Sequence, residues 1–509
     1  MAETYKVSEQ AGKGKPSPEI QPAREVLKTA RKRPVGLTTD EEKRLMAERS
    51  KPRDPGRLAS LDAYRGFIML TLAASGFGIA QFSAINRDSE VWRVADYETW
   101  QQIGFHFEHP PWRSNFLPTF LSDPETPAAE RSEFLKVCVS FWDLIQPAFM
   151  FMVGVAMPFS YRKRTAEGQS SAGRLAHAIW RALVLVLMAV FLSSMSSSST
   201  KWEFVNVLAQ IGLGYVFVYL LLGRPLWLQL AAFAGILVGY WLFIESYTPP
   251  ADYDFAAVEA TQDEGQVFAE KFRSWSKNGN AAHNVDFRLL NLFRTLEEEQ
   301  KTAHGIAMDA TDWAPEKLRR VLFTFHEPFV YNGGGYQTLN FVPSIATMLL
   351  GVICGGLLLS SHGAWKKIDI LLAGGAACMV LSLAAAEFVC PIVKRIWTPS
   401  WVLFSGAYVM WMLAAFYLLF DVLPLKVLAF PLAVVGMNSI AVYLMGQLFR
   451  GWTGEHVVQT HLNGLLEVMF GSRALEDIMY GPIVIATAVA RVFWLVVFWM
   501  HRRRIYLRV

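Results

Sequence analysis

The stretch RLASLDAYRGFIMLTLAASG, residues 57–76, places an aspartate and an arginine at the mouth of an otherwise apolar segment. A second segment, WDLIQPAFMFMVGVAMPFS at residues 142–160, puts an aspartate and a glutamine ahead of its apolar run. An ionised side chain costs several kcal/mol inside hydrocarbon, so such groups are usually retained for an ion, proton or substrate path. Both segments therefore predict membrane spans with chemistry at their ends.

The composition predicts a polytopic membrane protein. The chain has 509 residues, of which 53% are hydrophobic and 18% charged, which is too apolar for one soluble domain and too long for a simple anchor. We predict an all-α integral membrane protein, a bundle of about ten transmembrane helices, because apolar stretches long enough to cross roughly 30 Å of hydrocarbon recur along the chain. These stretches begin near Leu61, Val137, Leu175, Phe204, Leu226, Phe341, Ile368, Trp401, Val427 and Pro482.

The distribution of basic residues predicts the orientation. Under strict alternation of the spans, most loops rich in lysine and arginine fall on one side, so we expect both termini to be cytoplasmic. Residues 1–56 are polar, without the apolar core of a signal peptide, and we expect a disordered basic leader there, followed by the transmembrane domain at 57–509. The outer side then receives loops at about 84–136, 247–337 and 450–480, together with the short turn from Cys390 to Pro399.

Several function classes find no support in the sequence. It contains no Walker loop, dinucleotide fingerprint, HExxH motif or serine elbow in the right context. The four cysteines show no paired spacing, and a net charge of +4 is small for this length. We therefore expect neither a metal site nor a nucleic-acid partner. The hydropathy shows no clear internal repeat of the kind that many secondary carriers have, which weakly disfavours transport.

His109 is the leading candidate for catalysis. An imidazole titrates near neutral pH, and the predicted outer loop between two charge-bearing spans can present it at the membrane surface. The following Pro-Pro-Trp is a stiff turn, and the ring of Trp112 could hold the loop at the headgroup level. A solvated or structural loop histidine is the competing interpretation, and His283 and His326 are weaker alternatives.

Asp143 lies near the outer end of the second span, and Gln146 falls one helical turn later on the same face. The carboxylate could orient an imidazolium, cap a helix, or pair with Arg491 in the last span. Intramembrane ionisable groups usually mark function. We therefore assign Asp143 to catalysis together with His109.

Binding residues are expected at both ends of the spans. On the predicted cytoplasmic side, Arg65 could grip a phosphate, although an ion pair between Asp62 and Arg65 is an equally good explanation. Arg162 and Lys163 could assist, but the orientation rule also accounts for them. Long outer loops commonly carry binding residues. For the neutral polar groups within spans, hydrogen bonding between packed helices is the alternative explanation. The remaining candidates are Asn280, Asp286, Asn340 and Asn438.

Seven segments together resemble the family of heparan-α-glucosaminide N-acetyltransferase and its bacterial relatives. Their order and spacing agree with the family from about residue 57 to the end of the chain. The family's catalytic histidine lies in an HxxW element, and His109 occupies that position. The segments are RLASLDAYRG (57–66), HPPW (109–112), WDLIQPAFMFMVGVAMPFS (142–160), NVLAQIGLGY (206–215), PSIATMLLGVICGG (343–356), WTPSWVLFSG (397–406) and GMNSIAVY (436–443).

The resemblance implies a transmembrane acyltransferase of a bacterial inner membrane. Such an enzyme takes acetyl from cytosolic acetyl-CoA and delivers it to a sugar amine or hydroxyl of a glycan on the far side; a homodimer is left open. We expect acyl-CoA to contact Asp62, Arg65, Arg162 and Lys163. We expect the acceptor to contact Trp112, Gln146, Asn280, Asp286, Asn340 and Asn438.

Two other classes of function use the same spans. A transporter or flippase for a lipid-linked sugar or small anion would use the buried charges as a path and break no bond. A non-catalytic scaffold would keep only the fold. This chain also departs from its relatives at Ala74-Ser75-Gly76 and at Ala209-Gln210, where relatives often have an asparagine and an LQR sequence.

Overall fold

The structure is a computed structural model that describes residues 58–109, 112, 139–197, 200–262, 265–291, 329–423 and 425–507. The predicted leader, Cys138, His326 and much of the first two predicted outer loops lie outside the described residues. Helices and turns, without any strand, make up the part of the chain that is described. The all-α fold is therefore confirmed.

The helices follow the apolar stretches of the sequence. The α-helices of at least five residues are α1 (Ala59–Ala73), α2 (Ile79–Ser83), α3 (Tyr97–Phe105), α4 (Phe141–Ala166), α5 (Ser171–Ser194), α6 (Val207–Leu221), α7 (Leu226–Glu245), α8 (Ala281–Leu290), α9 (Phe341–Leu359), α10 (Ala364–Phe388), α11 (Pro399–Tyr417), α12 (Lys426–Met437), α13 (Ser439–Leu448), α14 (Asn463–Phe470) and α15 (Gly481–Arg502).

A multi-pass membrane protein is confirmed by the length and hydropathy of these helices. Within the described ranges, seven are long and apolar enough to cross a membrane, and up to nine spans result if each bent pair is one span. The apolar helix α6 is shorter. Every predicted apolar stretch coincides with one of these elements, while the number of crossings and the side of the termini stay predictions.

Helices α4 and α9 meet backbone to backbone. A Cβ atom added at Gly154 of α4 would lie 1.9 Å from the carbonyl oxygen of Met348, and one at Gly351 of α9 would lie 2.1 Å from that of Phe151. Small residues of this kind allow helices in membranes to approach closely. Glycine is required on both faces of this contact because any side chain would separate the two helices.

The first span is broken by four consecutive residues with positive φ. Ser75, Gly76, Phe77 and Gly78 have φ of 49°, 63°, 57° and 71°, and the helices on either side are bent by 55°. The left-handed conformation costs a non-glycine residue roughly 1–2 kcal/mol. Gly76 lies against the ring of Phe107. The break therefore borders the loop that carries the candidate histidine.

We expect Gly154→Ala to destabilise the protein, because the new methyl group must displace the α9 backbone at a cost of about 1–3 kcal/mol. Gly235→Ala in α7 is the matched control, since nothing lies within 4 Å of its added Cβ. Alanine exceeds glycine in helix propensity by about 1 kcal/mol, so the control should be neutral or stabilising. Thermal unfolding in detergent measures both, and equal midpoints for the two variants would contradict the close contact.

Candidate active site

One serine joins the His109 loop to the start of α4. The hydroxyl of Ser140 donates to the carbonyl oxygen of Glu108 at 2.7 Å. The hydroxyl oxygen of Ser140 also accepts from the backbone N–H of Asp143 at 3.3 Å and so caps the helix. Since Glu108 precedes His109 directly, this arrangement places the imidazole opposite the carboxylate in the first turn of α4.

His109, Asp143 and Lys394 form a hydrogen-bonded cluster, referred to below as the histidine cluster. Oδ1 of Asp143 lies 2.9 Å from Nδ1 of His109 and 2.8 Å from Nζ of Lys394. The side chains of Asp143 and Lys394 are each 4% exposed, whereas that of His109 is 47% exposed. The charged pair is therefore sealed in protein and the imidazole is open on one side. Lys394 is the ion-pair partner of Asp143, and Arg491 is exposed elsewhere.

The cluster selects one tautomer of the histidine. A carboxylate oxygen can only accept and an ammonium can only donate a hydrogen bond. An unprotonated Nδ1 would place its lone pair against Oδ1 of Asp143 at 2.9 Å. Nζ of Lys394 also lies 3.3 Å from Nδ1, but it is closer to Oδ1 of Asp143, at 2.8 Å, and donates there. Nδ1 therefore carries the proton and donates it to Asp143, as inferred from the hydrogen-bond network. Nε2 of His109 is left as the basic nitrogen.

Lys394 lies in the turn between α10 and α11 and was not among the predicted site residues. Burial opposes its charge, but the Asp143 carboxylate outweighs that effect and holds the pKa of Lys394 above its ordinary value. A signal was available in the sequence. Lys394 and Arg395 are adjacent basic residues in a short turn on the predicted outer side, where the orientation rule disfavours them.

The WTPS segment shapes this turn. The hydroxyl of Thr398 accepts from the N–H of Val393 at 3.1 Å, and the N–H of Thr398 donates to the carbonyl of Val393 at 3.1 Å. The indole N–H of Trp397 donates to the Thr347 hydroxyl of α9 at 3.1 Å. These bonds tie the residues around Lys394 to the core helices.

Two residues that were predicted to contact the acceptor sugar also support the turn. The Asn340 amide donates to the carbonyl oxygen of Arg395 at 2.7 Å. Trp112 is 1% exposed and its indole N–H donates to the carbonyl of Trp275 at 3.3 Å. Trp112 packs in one apolar cluster with Val393. The Trp112 ring therefore anchors the loop to protein rather than resting at a headgroup surface.

Asn280 and Asp286 lie in the segment around α8, which the sequence predicts to be on the outer side. Asn280 caps this helix, because its Oδ1 accepts from the N–H of His283 at 2.9 Å. Asp286 is 1% exposed and accepts from the N–H of Thr338 at 2.8 Å. His283, the weaker histidine candidate, is buried in the same helix. The structure gives both predicted binding residues hydrogen bonds within the protein.

Asn438 and Gln146 occupy different parts of the bundle. Asn438 lies at the bend between α12 and α13, donates to the carbonyl of Ile505 at 3.2 Å and accepts from the N–H of Leu507 at 3.0 Å. It thus holds the C-terminal segment, away from the histidine cluster. Gln146 is half-buried in α4, one turn beyond Asp143.

The predicted acyl-CoA residues lie at the other end of α4 and at the start of α1. Arg162 and Lys163 are exposed, Asp62 is buried and Arg65 is half-buried. At 1.5 Å per residue, Arg162 lies about 28 Å along the helix from Asp143. That length is close to the roughly 30 Å of bilayer hydrocarbon. Helix α4 therefore connects the histidine cluster with a basic surface on the opposite side.

Part of the chain matches the model of a known protein family. Residues 126–263 match the family model described as heparan-alpha-glucosaminide N-acetyltransferase, catalytic. The matched range contains Asp143 and helices α4 to α7, and it excludes His109 and Lys394. None of the curated proteins matches the chain. The resemblance to this family is confirmed over the matched range, and it indicates an acyltransferase.

We expect Lys394→Met to destabilise the protein by about 3–5 kcal/mol, because it leaves the buried Asp143 carboxylate without a positive partner. The double variant Asp143→Asn with Lys394→Met removes both charges and should lose less stability than Lys394→Met alone. Lys366→Met, at an exposed lysine of α10, is the control. Thermal unfolding of the purified protein in detergent compares the three. A Lys394→Met protein as stable as the control would contradict the ion pair.

Asp286 should make stability depend on pH. Burial raises the pKa of its carboxyl to about 7, against the opposing hydrogen bonds from Thr338. In the unfolded chain the carboxyl loses its proton near pH 4, so between about pH 4 and pH 7 the native state binds more protons. The free energy of unfolding should fall across this window as pH rises, by an amount on the order of a few kcal/mol.

The matched comparison is Asp286→Asn, which keeps an oxygen for the Thr338 N–H and cannot ionise. Unfolding midpoints of both proteins are measured at several pH values across the window. The difference between them should grow in favour of the variant as pH rises. Parallel curves would show that Asp286 is ionised in the native protein throughout.

Proposed function

We propose that the protein is a transmembrane acyltransferase that moves an acetyl group from cytosolic acetyl-CoA to a sugar amine or hydroxyl on the outer side of the membrane. The family match supports acetyl transfer, and the candidate spans support a bilayer setting. The observation that carries the proposal is the 2.9 Å hydrogen bond from His109 to buried Asp143. It orients a half-exposed imidazole at the mouth of a span.

The basic Nε2 of His109 has two uses at a thioester. As a general base it takes the proton of the acceptor amine while that amine attacks the thioester carbonyl, and the coenzyme A thiolate leaves and is protonated. As a nucleophile it forms an acyl-imidazole and releases coenzyme A, and the acceptor then attacks the acyl carbon. Both routes need an imidazole held in one orientation with an available lone pair. Asp143 and Lys394 supply that orientation.

The ends of α4 divide the two substrates in this proposal. Coenzyme A is too polar to cross a bilayer, so it enters the bundle from the basic end, where Arg162 and Lys163, with Asp62 and Arg65 at the start of α1, are the first contacts for its phosphates. Guanidinium groups bind phosphate through paired hydrogen bonds. The thioester arm then extends into the bundle toward the histidine cluster.

The acceptor sugar approaches from the outer segments. Gln146 lies one turn from Asp143 and is placed to donate to the carbonyl oxygen as charge develops. Asn280 and Asp286 belong to the outer segment that the sugar meets first. Trp112 and Asn340 act through the turn that they hold, while Asn438 stabilises the C-terminal segment.

A transporter is the second candidate, because a buried ion pair such as Asp143 with Lys394 is also expected along an ion path. A carrier breaks no covalent bond. A carrier would therefore release no coenzyme A from acetyl-CoA. Detergent-solubilised protein also has no gradient, so it would show no transport. An acyltransferase would release coenzyme A together with acetylated sugar.

Purified protein in detergent, supplied with radiolabelled acetyl-CoA and a panel of amino sugars, tests the proposal. We expect His109→Ala to lower transfer by about 10²–10⁴-fold, the usual contribution of a positioned acid or base. The exposed His461 offers a matched control, and His461→Ala should retain activity. Unchanged transfer in His109→Ala would remove the imidazole from the mechanism. Label retained on the protein after coenzyme A release would identify the acyl-imidazole route.

A further inference from the structure

A basic cavity of about 710 Å³ lies at the end of α4 that is remote from the histidine cluster. Arg162, Arg174 and Arg224 line it, and none of its described lining residues is a carboxylate. The Nε of Arg224 donates to the carbonyl of Leu220 at 3.3 Å. One terminal nitrogen of Arg174 donates to the Ser171 hydroxyl at 3.0 Å, and the other donates to the carbonyl of Gln169. Arginine has five N–H donors, so both guanidinium groups can bind a further acceptor.

An apolar groove of about 1260 Å³ continues from this cavity. The two share a wall formed by Pro158, Leu222, Gly223 and Arg224. Helices α7 and α10 form the sides of the groove and α9 contributes to its lining. Small residues such as Ala234, Gly356 and Ala377 make it concave. Its α7 side runs from Leu226 to Trp241, about 22 Å along the helix.

We infer that the cavity and the groove together bind one anionic phospholipid, whose phosphate lies between Arg174 and Arg224 and whose acyl chain fills the groove. Arginine matches phosphate in geometry and charge. The groove is longer than one leaflet of hydrocarbon, about 15 Å, and its concave shape can hold a single chain. Coenzyme A offers phosphates, but an acetyl group is too short to occupy the groove. The inference goes beyond the proposed function, in which Arg162 on the wall of this cavity contacts coenzyme A.

The headgroup contact is tested with the full chain in nanodiscs of phosphatidylglycerol and phosphatidylcholine in equal amounts. Native mass spectrometry after detergent extraction counts the phospholipid that stays bound. Preferential retention of phosphatidylglycerol is expected, and Arg174→Gln with Arg224→Gln should reduce it roughly tenfold or more. The control pair Arg502→Gln with Arg503→Gln alters exposed arginines outside the cavity and should have no effect.

The chain contact is tested by filling the groove. Nothing lies within 4 Å of a Cβ added at Gly356, which lines the groove, or at Gly239 of α7, which does not. Gly356→Leu should therefore fold and lose the bound phospholipid, while Gly239→Leu should fold and retain it. Both variants retaining it would overturn the inference. So would equal retention of the two phospholipids, or displacement of phosphatidylglycerol by free coenzyme A, which would assign the cavity to the acyl donor.

Discussion

The carboxylate of Asp143 is buried at the start of α4, and a buried charge is tolerated only with a partner close by. Lys394 supplies that partner from a turn 251 residues further along the chain. The loop before α4 and the turn before α11 must therefore meet at this point. The imidazole of His109 is oriented as a consequence, because it shares the same carboxylate oxygen. An electrostatic requirement of one residue thus assembles the whole candidate site.

Much of the fold was predictable because hydrophobic length is a local property of the sequence. Each predicted apolar stretch corresponds to a helix, including the two that are bent. His109 and Asp143 were predictable as well, since one lies in a short motif and the other at the mouth of a span. Lys394 stands out only as a basic residue on the side that the orientation rule disfavours, and nothing near it in the sequence indicates which distant carboxylate it will meet.

The partners of the other predicted binding residues could not be read from the local sequence either. An asparagine in apolar surroundings gives one signal in the sequence whether it holds a ligand, caps a helix or secures a chain terminus. Asn280 caps α8, Asn438 holds the segment around Ile505, and Asn340 braces the turn beside Lys394. Their roles follow from backbone groups that come near only after folding. The broken first span is similar, because Ser75 and Phe77 have left-handed conformations that their residue types do not favour.

The glycine contact between α4 and α9 has a further consequence. Since Gly154 and Gly351 leave no space between the two backbones, α4 cannot slide along its neighbour, and the separation between its two ends is constant. Helix α4 therefore keeps a fixed length of 26 residues between its basic end and the end that carries Asp143. A displacement of the basic end of α4 is therefore passed on to α9 and to the end that carries Asp143, so the two ends cannot adjust independently.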